Sequence, residues 1–215
     1  MSRFSALEDA VQALINGSPV IVLDAADRED EGDLLLAAEK ATPEMIYFML
    51  SRACGQLCVP VAPEIADRVD LTLMVANNPD PNGTGFAVPV DHCSCRTGVS
   101  PEERVRTIQA LLNPASRPGE FVRPGHVFPL IAREGGVLRR AGHTEAAVDL
   151  ARLAGLSPAG VLCEICSRDG THMAGHDELQ EFAEQFALPI ITIEDLVRFR
   201  RAGRSGLTRR QKVVV

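Results

Sequence analysis

The chain has 215 residues, of which 46% are hydrophobic and 24% charged, a composition typical of a globular protein with one domain or at most two small ones. Its formal net charge of −7 argues against a nucleic-acid partner, and no apolar stretch approaches the roughly 20 residues that span a bilayer. The N-terminal segment carries acids where a signal peptide needs a basic region, so we expect a cytoplasmic protein with reduced cysteines.

Hydrophobic periodicity predicts helices and strands in irregular alternation. Helices are expected from a capping box at Ser5 and Glu8 to Gly17, and at 43–53, 100–112, within 142–156, 177–187 and 194–202. Strands are expected at 19–25, 34–38, 56–62, 86–91, 125–132, 160–165 and 189–193, with a loop at 77–85. This order favours one α/β (α+β) domain with a mixed sheet flanked by helices. The domain should cover residues 1–204, and residues 205–215 should form a flexible tail.

A strongly acidic segment, DREDEGD, occupies residues 27–33, after the first predicted strand. Clustered carboxylates are hard oxygen ligands that suit Mg²⁺ or Mn²⁺, and Gly32 permits a tight turn or a close backbone approach. Arg28 can neutralise the cluster or bind an anion that the metal also touches. A solvated surface loop is the alternative, and the segment alone does not decide between the two.

Two segments place arginine, glycine and threonine at a predicted helix N-terminus, where free backbone N–H groups attract anions. In LRRAGHTEAAVDL, residues 138–150, the arginines and the hydroxyl of Thr144 favour phosphate binding. CRTGVSPEER, residues 95–104, repeats the pattern, although its Ser-Pro pair already explains a capped helix. In both places the alternative is an ordinary capped helix with surface arginines.

Two more polar residues belong to predicted strands. Glu164 lies within the apolar run GVLCEI, and a buried carboxylate without a partner is costly. We therefore expect Glu164 to have a partner or to act as an acid or base with a raised pKa. His126 begins a strand after a Pro-Gly turn, where a histidine is more often structural than catalytic.

The six cysteines, at positions 54, 58, 93, 95, 163 and 166, raise the question of a zinc site. Cys163 and Cys166 lie three residues apart in a predicted strand, so their side chains face opposite sides and should not chelate one ion. Buried small hydrophobic residues are the better interpretation.

Four segments together resemble one enzyme family: DREDEGDL, RPGHVFPL, GGVLRRAGHTEAAVDLARLAGLSPAGVLCEI and TIEDLVRFR. They look like segments of 3,4-dihydroxy-2-butanone 4-phosphate synthase, an enzyme of riboflavin biosynthesis, and the resemblance covers nearly the whole chain. It implies a lyase that converts D-ribulose 5-phosphate to 3,4-dihydroxy-2-butanone 4-phosphate and formate, by enolisation, a skeletal rearrangement and loss of C4. The length resembles that of the monofunctional members, without a fused GTP cyclohydrolase domain.

The resemblance also implies roles for individual residues. Glu29 and His143 match the metal-binding positions, with Mg²⁺ the usual ion and Mn²⁺ the alternative. Substrate-contacting positions correspond to Arg28, Glu29, Asp33, Arg140, Ala141, Gly142, His143, Thr144 and Glu164. His126 and Glu164 match essential positions, and with Asp33 they are the candidate bases, which the sequence cannot rank. Supporting roles fall to Glu31, Cys58 and Thr97. Family members are typically homodimers, with active sites close to the subunit interface.

Two segments depart from the family pattern. VDHCSCRTGVSPEER, which contains residues 91–104, has Arg96-Thr97 where relatives more often have two threonines, a change that could alter phosphate contacts or loop closure. DGTHMAGHDEL, residues 169–179, carries an extra residue outside the expected site. Two other interpretations stay open: an inactive homologue that binds a sugar phosphate or nucleotide, and a zinc-stabilised interaction module.

Overall fold

A mixed sheet of seven strands forms the centre of the molecule in a computed structural model that describes residues 5–203. Within that range the strands are β1 (Val20–Leu23), β2 (Gly32–Ala37), β3 (Cys58–Val61), β4 (Val90–His92), β5 (Phe121–Ile131), β6 (Gly160–Glu164) and β7 (Ile190–Thr192). They lie in the order β4-β5-β3-β6-β2-β1-β7. The pairs β1–β7 and β3–β5 are parallel and the others antiparallel, which confirms the single domain with a mixed sheet.

Seven α-helices accompany the strands in this part of the chain. They are α1 (Ser5–Ile15), α2 (Pro43–Arg52), α3 (Pro63–Arg68), α4 (Pro101–Leu112), α5 (His143–Leu153), α6 (His176–Phe186) and α7 (Ile193–Arg201). The caps of α2 and α4 form as the sequence predicts, because the hydroxyls of Thr42 and Ser100 accept backbone N–H groups at 3.3 and 3.2 Å. The sequence does not predict α3, whose 6 residues are too few to show a helical repeat.

Helices cover both faces of the sheet. Ile21 and Leu34 belong to a core that α2, α4 and α6 complete, whereas Val22 and Leu35 belong to a second core completed by α1, α5 and α7. Successive residues of β1 and β2 therefore point into opposite cores, as the period of a strand requires. Burial on both faces fixes the register of these strands, and it fixes the position of the loop between them.

The segment 86–91 is not the continuous strand that its alternating pattern predicts. Phe86 and Ala87 form isolated bridges, and β4 begins only at Val90, with a shift of register between Val90 and Asp91. Pro89 interrupts the segment because it has no backbone N–H to donate. The neighbouring β5 is correspondingly longer than expected and begins at Phe121.

Two predictions lie outside the described residues: the flexible tail at 205–215 and the side chain of Ser5 in the first capping box. Across residues 5–203, no helix is both long and apolar enough to cross a membrane.

Candidate active site

A cavity of about 170 Å³ opens where the β1–β2 loop, the end of β6 and the start of α5 meet. Strand register brings these parts together, since β2 pairs with β6 and Asp33 lies opposite Glu164. The wall of the cavity consists of Arg28, Glu29, Glu31, Asp33, Cys58, Thr84, Phe86, Leu130, Arg140, His143, Thr144, Leu162 and Glu164. Most of the site residues that the sequence analysis predicts therefore line this one cavity.

The two predicted metal-binding residues, Glu29 and His143, are neighbours in the fold. Together with Asp24 they offer ligand atoms that all lie within 4.8 Å of one another. Nε2 of His143 donates to the backbone oxygen of Val22 at 3.0 Å, which leaves Nδ1 facing the carboxylates. Nδ1 is 3.9 Å from Oε2 of Glu29. A fixed imidazole nitrogen beside carboxylate oxygens suits a divalent cation.

Asp24 organises the acidic segment, a role that the sequence did not reveal. Its side chain is fully buried and accepts the backbone N–H groups of Glu29 and Glu31 at 3.2 and 3.0 Å. Arg28 donates to the same carboxylate at 2.7 Å and also contacts Glu29. These bonds bring one side of the loop to the cavity, while Asp27 and Asp30 are exposed. The segment is therefore a structured loop with distinct positions, not a uniformly solvated one.

Asp33 is a buried acid of the cavity with a strongly raised pKa. Its side chain is only 3% exposed, and Oδ1 has no hydrogen-bond partner among the described residues. Burial raises the pKa of Asp33 to about 7, against the opposing effect of His143, whose Nδ1 lies 3.7 Å from Oδ2. Burial lowers the pKa of His143, but Asp33 and Glu29 outweigh it and raise that pKa to about 9. The two groups therefore titrate as a coupled pair.

Glu164 has the partner that its place in an apolar strand predicts. Oε2 accepts the backbone N–H of Gln56 at 2.7 Å. Gly55 permits this approach, because a Cβ atom at that position would lie 2.5 Å from the same oxygen. Cys58 lines the cavity nearby, and burial raises the pKa of its thiol, which keeps it protonated and fits a supporting role.

Positive groups gather around Gly142, the N-cap of α5. A Cβ atom there would lie 2.2 Å from Nη1 of Arg140 and 3.1 Å from Nη2 of Arg28, so glycine lets both guanidinium groups approach the helix N-terminus. Buried Glu145 orients Arg140 through a bond of 2.7 Å. Thr144 adds a hydroxyl to the cavity wall. Two arginines, a helix N-terminus and a hydroxyl therefore lie together in the place where LRRAGHT predicts an anion site.

We expect Gly142→Ala to raise the KM for a phosphorylated substrate about tenfold, because the new methyl group pushes the guanidinium groups from the helix N-terminus and weakens a charged hydrogen bond. The φ of Gly142 is −122°, which alanine adopts without strain. Gly175→Ala is the matched control, since Gly175 is the N-cap of α6 and a Cβ atom there would meet nothing within 4 Å. Equal KM values for the two variants would contradict this location of the anion site.

The loop at 77–85 reaches the cavity, which its composition does not indicate. Nδ2 of Asn82 donates to Oε1 of Glu29 at 2.8 Å, and Nη2 of Arg140 donates to the hydroxyl of Thr84 at 2.9 Å. Both contacts join residues far apart in sequence, so no local pattern could have shown them. The same loop also lines a larger groove of about 1020 Å³, which shares Thr84 and Phe86 with the cavity.

His126 and Thr97 do not line the cavity of a single chain. His126 is 44% exposed and its Nδ1 lies 2.7 Å from Oδ2 of Asp91. The hydroxyl of Thr97 donates to Glu103 at 3.0 Å, and the backbone N–H groups of residues 96–98 point at the same carboxylate. The chain's own Glu103 thus occupies the second anion site that the sequence suggested. Ala141 is exposed beside the cavity without lining it.

Comparisons with known proteins agree on one family. The family model of 3,4-dihydroxy-2-butanone 4-phosphate synthase matches residues 8–199. The riboflavin biosynthesis protein RibBA of Bacillus mycoides (strain KBAB4) is 52% identical over 212 residues, which are 99% of this chain and 53% of that protein. A RibBA protein of Bacillus cereus (strain ATCC 14579) has the same identity and coverage. The chain therefore spans about half the length of these curated relatives.

Solved structures show the same fold. RibBX of A. baumannii, a two-domain 3,4-dihydroxy-2-butanone 4-phosphate synthase, superposes with a TM-score of 0.88 at 44% identity, over 92% of this chain and 58% of that one. A 3,4-dihydroxy-2-butanone 4-phosphate synthase in complex with two magnesium ions gives a TM-score of 0.87 at 41% identity, over 95% of this chain and 100% of that one.

Proposed function

Because the chain belongs to the 3,4-dihydroxy-2-butanone 4-phosphate synthase family, we propose that it is a lyase of riboflavin biosynthesis that converts D-ribulose 5-phosphate to 3,4-dihydroxy-2-butanone 4-phosphate and formate. One observation supports this proposal most strongly: an anion site and a histidine-carboxylate cluster face the same cavity. A ketose phosphate needs both, since one end carries the phosphate and the other undergoes proton removal. An inactive homologue that only binds the sugar phosphate would gain nothing from burying Asp33 as an ionisable acid.

The cavity residues fit a divalent cation, which we propose to be Mg²⁺ or Mn²⁺. The donor set supports this, because a ring nitrogen of His143 and carboxylate oxygens of Asp24 and Glu29 lie within 4.8 Å of one another. Glu29 and His143 would hold the ion, with Glu31 on the same wall. When bound, the ion would stabilise negative charge on the carbonyl and hydroxyl oxygens of the substrate. The solved relative that contains two magnesium ions supports this proposal.

The anion site would bind the phosphate end of the substrate. Arg140 and Arg28 supply charge, and the N-terminus of α5 supplies backbone N–H groups. With the phosphate fixed there, the sugar carbons would extend toward the carboxylates of the same cavity, which restricts the substrate to one orientation. The apolar side chains of Phe86, Leu130 and Leu162 complete the wall and limit the access of water.

Asp33 is our candidate for the base that removes the first proton. A carboxylate with a pKa of about 7 is partly ionised at neutral pH and more basic than an exposed aspartate. Glu164 lies opposite Asp33 on the adjacent strand, and its bond to Gln56 fixes its position. We assign the return of a proton later in the reaction to Glu164. The sequence could not rank Asp33, Glu164 and His126; the deeper burial of Asp33 in the cavity supports it as the first base.

We propose a homodimer in which His126 of one chain completes the cavity of the other. The motif RPGHVFPL indicates an essential histidine, yet His126 lies outside its own chain's cavity and is 44% exposed. Asp91 holds the ring in place, with its Oδ2 at 2.7 Å from Nδ1 of His126. Exposed Val99 and Val122 flank this region and offer apolar surface for a second copy.

Mixing two inactive variants tests the dimer. We expect His126→Ala and Glu29→Gln, each nearly inactive alone, to regain about a quarter of wild-type activity after mixing and subunit exchange, because each mixed dimer contains one intact site. The measurement is formate release before and after exchange, with dimer formation followed by sedimentation. If the mixture forms mixed dimers and stays inactive, His126 does not act across the interface.

The reaction itself is tested by formate release from D-ribulose 5-phosphate in the presence of Mg²⁺ and after removal of the metal with a chelator. We further propose that the enzyme works in the cytoplasm, where its six cysteines, all free thiols, would remain reduced. The zinc-stabilised module is less well supported, because Cys58 and Cys163 are buried in separate hydrophobic clusters.

A further inference from the structure

The loop that carries Asn82 is held in shape by its own side chains. The carboxylate of Asp80 accepts the backbone N–H groups of Asn82 and Thr84 at 3.0 and 2.8 Å. Asn78 donates to the backbone oxygen of Thr84 at 2.9 Å. Gly83 has a φ of +61°, which allows the tight turn between them. The side chain of Asn82 therefore projects from an ordered turn.

Asn82 contacts both the proposed metal-binding residues and the proposed anion-binding residues of the candidate active site. Its Nδ2 donates to Oε1 of Glu29 at 2.8 Å, and its backbone oxygen accepts Nε of Arg140 at 2.8 Å. Arg133 supports the same turn through the backbone oxygen of Gly83 at 3.1 Å. One residue thus contacts the carboxylate proposed to hold the metal and the arginine proposed to hold the phosphate.

The bond from Asn82 restricts the rotation of the Glu29 carboxylate. With Oε1 engaged by the amide, Oε2 faces Nδ1 of His143 at a distance of 3.9 Å. Glu29 belongs to a loop and is partly exposed, and Nη1 of Arg28 contacts its Oε2. The bond from Asn82 holds the second oxygen, Oε1, so the two contacts together limit the carboxylate to one orientation. A hydrogen bond to a charged group that selects one rotamer raises the affinity of the carboxylate for a ligand by preorganisation.

We propose that Asn82 is a positioning residue that orients Glu29 for metal binding and is itself held in place by Arg140. This inference rests on the proposed function for its substrate and for the assignment of Glu29 as a metal ligand. The orientation of Glu29 is a property of the protein and its metal, and it can be measured without any reaction.

The test is Asn82→Leu, which keeps the size of the side chain and the backbone oxygen for Arg140 but removes the amide donor. We expect the dissociation constant of Mn²⁺, measured by electron paramagnetic resonance without substrate, to rise about tenfold, the effect of losing one charged hydrogen bond. In formate release with Mn²⁺ at a fixed subsaturating concentration, kcat should fall by a similar factor, while the KM for ribulose 5-phosphate changes less than about threefold, because the anion site is intact.

Asn78→Ala is the matched control, because it loosens the same turn without removing the bond to Glu29. Wild-type Mn²⁺ affinity in Asn82→Leu would overturn the inference. An equal loss of Mn²⁺ affinity in Asn78→Ala and Asn82→Leu would also overturn it, because it would show that only the order of the loop matters. A wild-type protein that binds Mn²⁺ and releases no formate would contradict the proposed function, while the Mn²⁺ affinities would still decide the role of Asn82.

Discussion

Glu29→Gln is expected to lower formate release about 100-fold or more, roughly 2.7 kcal/mol of transition-state stabilisation. Glutamine keeps the shape of the side chain and can accept the bond from Asn82, but it lacks the charge that a cation needs. Mn²⁺ affinity should fall with it. The pKa of Glu29 is lowered, first by its interaction with His143 and then by Arg28, so the wild-type residue is an anion at neutral pH.

The matched control is Asp30→Asn, one position along the same loop. Asp30 is exposed and has a φ of +57°, a conformation that asparagine tolerates as well as aspartate does. Its partner in the structure is His176, at 3.6 Å on the surface. We expect activity within about twofold of the wild type, as for most surface changes. Similar losses in Glu29→Gln and Asp30→Asn would mean that the loop acts only through its total charge.

Asp33→Asn is expected to reduce turnover as severely as Glu29→Gln and to leave Mn²⁺ affinity within a few-fold of the wild type. Asparagine is nearly isosteric but cannot accept a proton, so a general base would be lost while Glu29 and His143 remain. Formate release and Mn²⁺ binding, measured on the same preparation, separate the two roles. A large loss of Mn²⁺ affinity in Asp33→Asn would make Asp33 a metal ligand instead.

The same variant should change the pH dependence of stability in the metal-free protein. Because burial raises the pKa of Asp33 from 3.8 to about 7, the folded chain retains a proton that the unfolded chain releases. The stability that this group contributes is present below about pH 4 and is lost as the pH rises through about 7. Asparagine does not ionise, so the Tm of Asp33→Asn relative to wild type should rise between pH 4 and pH 8, by roughly 2–4 °C per kcal/mol. A constant difference would contradict the raised pKa.

The sequence predicts the elements of the fold well where periodicity is long. The helices around Ile46 and Ile108 and the strands around Ile21 and Leu162 are all found, because burial on both sheet faces leaves continuous apolar patterns. Short or interrupted elements are not predicted. The helix α3 is too short for its apolar residues to show a helical repeat. Pro89 interrupts the segment 86–91, although its side chains alternate as in a strand.

The candidate site was predictable where its residues share a loop or a helix N-terminus. One acidic segment contains Arg28, Glu29 and Asp33, and a second short motif contains Gly142 and Thr144. Each segment by itself indicates a cation site or an anion site, so these residues can be recognised from the local sequence. Their convergence on one cavity depends on strand register, which composition does not reveal.

Residues that act through distant partners were missed. Asp24 directly follows β1 and looks like an ordinary aspartate at the end of a strand; only the fold shows that it accepts backbone N–H groups of Glu29 and Glu31 across the loop. Asn82 belongs to a segment whose prolines, asparagines and glycines indicate a loop and nothing more.

The most direct test of the proposed reaction follows one carbon atom. D-ribulose 5-phosphate labelled with ¹³C at C4 is incubated with the protein and Mg²⁺, and the products are followed by NMR. The proposed reaction predicts that the label appears as formate in equal amount to unlabelled 3,4-dihydroxy-2-butanone 4-phosphate, and that a chelator stops both. Label retained in the four-carbon product, or formate release that persists in excess chelator, would contradict it.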